Sequence, residues 1–159
     1  METSNFLTLL PFLLACAAAA STGIYFRPEE WYRDLNKPSW RPPDWLFGPV
    51  WLVLYIMIAV AGWRIWNIAG WEVGAAALTV YGVQLALNAL WSGIFFGLRR
   101  IGLAVLEIGG LWLAIAATIA LFWPIDRTAA YLLVPYLMWA SFAGVLNLTI
   151  WRLNRANMT

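Results

Sequence analysis

The run Trp31-Tyr32-Arg33-Asp34-Leu35-Asn36-Lys37-Pro38-Ser39-Trp40-Arg41-Pro42-Pro43-Asp44-Trp45-Leu46-Phe47-Gly48-Pro49-Val50-Trp51 interleaves four tryptophans with four prolines. Tryptophan offers a large, rigid apolar surface and one N–H donor. Proline fixes the backbone and withholds a donor. Together they imply a preformed aromatic box rather than a flexible linker. The run joins two long apolar segments, which places the box at a membrane surface.

Outward from this run the chain is overwhelmingly apolar. Of its 159 residues 63% are hydrophobic and 11% charged, against about 25% charged in an ordinary soluble domain. A soluble protein of this length could not hide so much apolar surface, so an integral membrane protein is expected. The net charge of +2 comes without a basic stripe of the kind that binds nucleic acid. There is no histidine, which removes the commonest zinc and haem ligand and the usual proton shuttle near neutral pH. No metal centre, required cofactor or histidine-based catalytic site is therefore expected. Cys16 is the single cysteine, so no intrachain disulfide can form.

A spanning helix needs about 20 apolar residues, and five segments qualify. They run from about 6 to 25, 45 to 66, 73 to 96, 101 to 123 and 129 to 151. The breaks at 67–72, 97–100 and 124–128 are short and polar; only the first, about 26–44, is long. Short connections force neighbours to run antiparallel. The predicted fold is all-α, a single five-helix transmembrane domain with a loop over one end. Leu13-Leu14-Ala15-Cys16 loosely resembles a lipoprotein cleavage site, but the start Met1-Glu2-Thr3-Ser4-Asn5 has no basic residue. A retained first helix is therefore expected rather than a signal peptide.

Five spans put the termini on opposite sides. Arg27, Arg33, Lys37, Arg41, Arg99, Arg100, Arg152 and Arg155 fall on the side of the long loop, and only Arg64 and Arg127 on the other. The positive-inside rule then puts the long loop and the C-terminus in the cytoplasm. A bacterial cell membrane is the expected location; the rule is silent about an outer membrane, which stays open. Trp63, Trp66, Trp71, Trp123 and Trp151 lie at segment ends, where an aromatic belt would sit.

Polar residues inside the spans are the remaining candidates. Tyr81, Gln84, Asn88, Trp91 and Phe95 recur at helical spacing on one face of the third segment. Gln84 and Asn88 would be costly against hydrocarbon. They serve either as interhelical hydrogen bonds or as the placed polar groups of a mostly apolar ligand pocket. Roughly opposite runs a small-residue stripe of Ala75, Thr79, Gly82, Ala86, Ala89, Gly93 and Gly97. Such a stripe admits close helix approach, within the monomer or to a second copy. Glu107 is the one acid well inside a span. An intramembrane acid is a functional candidate by default; the alternatives are a reach back to Arg99 or Arg100, or a protonated carboxyl against a neighbouring helix. On the last segment Pro135 can bend the helix. Trp139, Phe142 and Ala143 set large beside small on nearby faces, as a pocket wall or ordinary packing would.

The loop run, together with Gln84-Leu85-Ala86-Leu87-Asn88-Ala89-Leu90-Trp91-Ser92 and Pro135-Tyr136-Leu137-Met138-Trp139 followed by Phe142, Ala143, Leu146 and Asn147, resembles the translocator protein family, the tryptophan-rich sensory proteins or peripheral benzodiazepine receptors. The resemblance extends from the first loop to the last helix. It implies a five-helix, usually dimeric membrane fold with a ligand pocket capped by the first loop. It also implies binding of porphyrins and of hydrophobic isoquinoline- or benzodiazepine-type ligands, and, in eukaryotic members, of sterol. On that resemblance Trp51 and Asn88 match ligand-contacting positions, Trp139 and Ala143 pocket-wall positions, and Tyr32 and Trp40 the capping loop; Gln84 and Phe142 join them as ligand-binding candidates. Ala75, Thr79, Gly82, Ala86 and Gly93 are the candidate dimer interface. The sterol pattern of animal members departs here, with Leu148 where a tyrosine would sit, and that pattern is weak even when complete. The expected function is a membrane receptor or sensor that binds porphyrins, with their transport left open. The alternatives are light-dependent porphyrin degradation, and transport of sterol or another small molecule.

Overall fold

The computed structural model describes residues 4–26, 28 and 30–157; Arg27 and Glu29 of the loop lie outside them. Every regular element among the described residues is helical. A short turn α1 (Ser4–Leu7) leads into α2 (Leu10–Tyr25), and α3 (Glu30–Asp34) sits inside the long loop. A 3₁₀ turn at Asp44–Leu46 precedes α4 (Phe47–Ser92), and a π turn (Gly93–Gly97) follows it. Then come α5 (Ile101–Phe122), α6 (Arg127–Asn154) and a closing 3₁₀ turn at Arg155–Asn157.

The sequence predicts a polar break at 67–72 between two spans. Instead α4 carries both, and only Gly70 leaves helical geometry, at φ 58° and ψ −163°. That combination is open to glycine and closed to other residues. It folds the helix back on itself: Tyr55 bonds Asn88, the Tyr81 hydroxyl bonds the Ile58 carbonyl, and Ile65 lies against Gly74. Partners climb one limb as they descend the other, the signature of an antiparallel hairpin. Asn67 and Glu72 are polar yet helical, because the water-facing end of a hairpin does not need them to leave the helix. A β-carbon at Gly70 would meet no atom within 4 Å, so its role is purely conformational. Gly70→Ala is expected to cost about 1–3 kcal/mol, read as a lower melting temperature in detergent; an unshifted melt would show that the turn is made another way.

Helix α4 is the hub. Helices α2, α5 and α6 all pack on it, and α5 packs on α6. The core between them is mostly aliphatic, with Ile58, Ala59, Ala61, Ile65 and Ile115 fully buried, joined by the rings of Tyr136 and Phe122. The outer faces are apolar too: Val73, Leu106, Leu113 and Met138 are all at least 65% exposed. In water such a surface would be a liability; against lipid it is the expected one. Asp44–Gly97, α5 and α6 are each long and apolar enough to cross a membrane, and α2 is a shorter apolar helix. With α4 counted as its two limbs, 47–69 and 71–92, there are five apolar helical segments. A 23-residue limb reaches about 34 Å at 1.5 Å per residue, enough for a hydrocarbon core of about 30 Å.

Chain ends of the helices are held by named side chains. Asp126 caps α6, accepting from the Thr128 and Ala129 amides at 3.1 and 3.3 Å. It also accepts from Arg64 Nε at 2.5 Å, which ties the hinge end of α4 to the start of α6. The Arg64 guanidinium, followed by those amides, holds the Asp126 carboxyl below its ordinary range. This cap explains why α6 begins at Arg127, ahead of the predicted start. Trp66 and Trp71 flank the hinge and Trp123 follows α5, all exposed, as expected of an aromatic belt.

The long loop is docked, not loose. Lys37 donates to the Tyr32, Arg33 and Leu35 carbonyls and so closes the end of α3. Its ammonium also stands 4.7 Å over the Tyr32 ring. Burial, then the nearby Arg41, lowers the Lys37 pKa. Asn36 and Asn154 are joined reciprocally: the Asn36 amide donates to Asn154 Oδ1 at 2.9 Å, and Asn154 Nδ2 donates to the Asn36 carbonyl at 2.8 Å.

Candidate functional site

Asn88, on the second limb of α4, is the polar node of the bundle. Its Oδ1 accepts from the Tyr55 hydroxyl at 2.5 Å and its Nδ2 donates to the Tyr136 hydroxyl at 2.9 Å. One side chain thereby joins both limbs of α4 to α6. Both readings of its polar face bear on it: it is an interhelical hydrogen bond, and it stands beside the aromatic residues expected at a pocket.

Those aromatic residues form a nearly continuous wall. Trp51, one turn before Tyr55, lies 5.3 Å from its ring and 6.1 Å from that of Tyr136. Trp139 packs between Phe47 at 5.5 Å and Phe142 at 5.4 Å. Trp40 reaches down from the loop onto Phe142 at 5.9 Å, so loop and wall are in contact. Offset and edge-to-face arrangements of this kind are the favourable ones. Ala143 follows Trp139 by one helical turn and is half-buried against the core. Among the described residues the Trp139 indole N–H is buried without an acceptor, a donor left open at the centre of the wall.

The remaining candidates lie apart from this centre. Tyr32 is buried in an adjoining cluster with Phe95, Phe96 and Ile101, linked to the wall through Phe47 and Phe142. Gln84 is 1% exposed, and both of its amide atoms lack a partner among the described residues. Glu107 likewise has both carboxyl oxygens buried without a hydrogen-bond partner among them. The reach back to Arg99 or Arg100 is therefore not made, since a carboxylate in contact with a guanidinium would be bonded to it. The small stripe divides. Thr79, Gly82 and Ala86 are exposed and Ala75 half-buried, while Gly93 and Gly97 lie under the Phe26 ring, where added β-carbons would fall 3.4 and 2.8 Å from it. The lower end of the stripe thus serves packing within the chain.

Three members of the site escape a reading of spacing alone: Phe47, Tyr55 and Tyr136. Tyr55 follows Trp51 by four residues and Tyr136 follows Pro135, so each was placed on a helix. What spacing does not encode is that the two hydroxyls from different helices meet on one amide. Asn147 is a further buried link, accepting from the Trp91 indole at 3.1 Å and donating to the Ile101 carbonyl at 3.3 Å. The assembled groups are ring faces, ring edges and hydrogen-bonding amides and hydroxyls. They suit recognition of a flat, mostly apolar molecule.

Comparison with known proteins agrees with the motifs. The model of the TspO/MBR family matches residues 8–152. The tryptophan-rich sensory protein of Cereibacter sphaeroides is 43% identical over 97% of this chain and 94% of its own length. Protein CrtK of Rhodobacter capsulatus is 43% identical over 90% of each chain. The human translocator protein is 41% identical over 78% of this chain and 75% of its own. Matched from its first long helix to the end of its last, and carrying the Trp/Pro loop docked on an aromatic wall, the chain belongs to the TspO/MBR family.

Proposed function

We propose that this protein is a membrane receptor or sensor that binds porphyrins against the wall of Trp51, Trp139 and Phe142, under the loop that carries Trp40. The observation that carries the reading is that Trp51 lies against the polar node of Asn88 with Tyr55 and Tyr136, while Trp139 and Phe142 of α6 join Phe47 of α4 to Trp40 of the loop. A porphyrin is a flat aromatic ring that stacks on indoles, with carboxylate tails that seek cations. Lys37 is taken up by three carbonyls and Arg41 is paired with Asp44 at 3.0 Å. Among the described residues of the loop, Arg33, which is exposed, is then the cation left for a tail. The names of relatives, sensory protein and translocator protein, support a receptor or transport role. Hydrophobic drug-like ligands of the isoquinoline or benzodiazepine type would use the same wall. A sterol is the weaker partner, since Leu148 replaces the tyrosine of the sterol pattern.

A second reading, light-driven porphyrin degradation, draws on one feature. Trp51, Tyr55 and Tyr136 form a contiguous row of oxidisable rings beside the proposed ligand. One experiment addresses both readings. Protoporphyrin is titrated into the detergent-solubilised protein in the dark, and the complex is then illuminated. Saturable quenching of tryptophan fluorescence supports a binding site, and quenching that rises linearly, as with an unrelated membrane protein, removes it. Loss of porphyrin absorbance in light, above that of free porphyrin, favours degradation; retention favours sensing or transport.

The protein is further proposed to act as a homodimer in a bacterial cell membrane, with its long loop in the cytoplasm. Thr79, Gly82 and Ala86 offer the contact, and an added β-carbon at Gly82 meets nothing within 4 Å. Gly82→Leu is expected to leave the monomer folded and to abolish crosslinked dimer in membranes; a crosslinking yield equal to wild type would place any dimer contact elsewhere.

A further inference from the structure

The long loop is held in two different ways along its length. Its first part, α3, is held by rings. Trp31 meets Phe95 at 6.2 Å, and Tyr32 meets Phe95 and Phe96 at 6.1 and 5.4 Å. The Arg99 guanidinium stands over the Trp31 ring at 5.8 Å, and Tyr32 is buried among these contacts. The part that follows, residues 36–43, carries Trp40 and forms no helix. The described side-chain bonds of Lys37 and Arg41 close on the loop itself and on Asp44 at its end. The Arg41 N–H closes a turn on the Pro38 carbonyl at 3.2 Å, and Pro42 and Pro43 stiffen the chain beyond it. Residues 38–43 are thus built to move as one stiff piece.

A polar tie joins this piece to the bundle through Asn154, at the end of α6. The Asn154 side chain is 4% exposed. Its Oδ1 accepts from the Asn36 N–H at 2.9 Å, and its Nδ2 donates to the Asn36 and Ile150 carbonyls at 2.8 Å each. An amide supplies one acceptor and two donors on a short side chain, and here all three are used. On the loop both partners are backbone groups of Asn36, an exposed residue. Once released they pass to water, so the tie opens without stranding a buried group of the loop. The neighbouring contact, Trp40 on Phe142, leaves Trp40 48% exposed, so lifting it gives up only part of an indole's burial. We propose that Asn154 is a positioning residue that latches residues 36–43 over the aromatic wall, and that release of its two bonds to Asn36 lifts Trp40 from Phe142 and admits the ligand while α3 stays docked. The proposal rests on the reading of that wall as a porphyrin site.

The test uses the full chain in detergent, with protoporphyrin association and dissociation followed by stopped-flow fluorescence. One hydrogen bond shifts an opening equilibrium roughly two- to tenfold, so Asn154→Ala should raise both rate constants about tenfold. Damage to the wall itself would speed dissociation alone, so faster association is the mark of a latch. Asn154→Leu, which removes the same bonds while keeping nearly the same buried volume, should match Asn154→Ala. Acceleration in the Ala variant only would trace the effect to a cavity and overturn the latch. Unchanged rates would mean that the ligand enters between the helices from the lipid, and would overturn it too. Hydrogen exchange on the ligand-free chain is the second arm. Asn154→Leu should speed deuterium uptake at residues 36–41 and leave residues 30–35 as slow as in wild type. Equal acceleration in both stretches would show that Asn154 steadies the whole loop, and would overturn the proposed gate. If protoporphyrin does not bind saturably, the porphyrin reading falls by itself, and exchange still decides whether Asn154 latches this segment.

Discussion

Trp51→Ala is expected to weaken protoporphyrin binding by about tenfold to over a hundredfold, the affinity equivalent of the roughly 1–3 kcal/mol that one stacking aromatic contributes. Trp51 lies against both hydroxyl-bearing rings that meet on Asn88. Its removal therefore takes away stacking area and loosens the packing of Tyr55 and Tyr136 around the node. Trp51→Phe should be milder, because part of the ring face remains. The control is Trp66→Ala. Trp66 is 40% exposed near the hinge, at the opposite end of the α4 limb from Trp51, and its loss should leave porphyrin affinity unchanged. The measurement is a fluorescence-quenching titration in detergent, corrected for the indole removed. Equal losses at the two positions would mean that quenching reports partitioning into the micelle, and the aromatic wall would have to be abandoned as the site.

Gly62→Val is expected to destabilise the fold by at least the upper end of the roughly 1–3 kcal/mol typical of overpacking. A β-carbon at Gly62 would fall 2.6 Å from Tyr81 Cζ and 2.8 Å from Phe12 Cδ1. Neither ring can yield cheaply. Tyr81 is 4% exposed and donates its hydroxyl to the Ile58 carbonyl at 3.1 Å. It is also stacked on Phe122 at 6.0 Å and meets Phe12 edge-on at 6.1 Å. The added methyls would thus push apart α2, both limbs of α4 and α5 at once. Gly110→Val is the comparison, since a β-carbon there meets nothing within 4 Å. Thermal denaturation of the two variants in the same detergent should separate them widely; coincident melting curves would mean that Gly62 is not at a close contact.

Five apolar segments were legible because lipid imposes a length on each, and hydrophobic runs report that length directly. The connection at 67–72 was not, since Asn67 and Glu72 read as loop residues while the structure needs only Gly70 to reverse the chain. Within the site, Asn88, Trp139 and Phe142 could be placed on faces from spacing, and the role of Trp51 came from the motif resemblance. Tyr55 and Tyr136 could not be assigned to the Asn88 amide, because hydrogen bonds between helices depend on rotation and height that sequence spacing leaves free. Tyr32 carries an aromatic ring at a loop position, yet it is spent on Phe95 and Phe96 beneath Lys37. Glu107 shows the limit of charge pairing as a guide: Arg100 lies two helical turns away in sequence, but the carboxyl is buried without a partner among the described residues.

The paired bonds between Asn36 and Asn154 join positions 118 residues apart, and this separation sets an order on biogenesis. The chain is synthesised from its N-terminus, so the loop, with Trp31 and Trp40 set among its prolines, leaves the ribosome long before its Asn154 anchor exists. Its Asn36 tie can be made only when the last turn of α6 has been synthesised and inserted, although Tyr32 can already pack on Phe95 and Phe96. Trp139 and Phe142, the α6 share of the aromatic wall, arrive only slightly earlier. A nascent chain therefore has neither a complete wall nor a fixed cover, and the proposed ligand site is among the last parts of the molecule to be assembled.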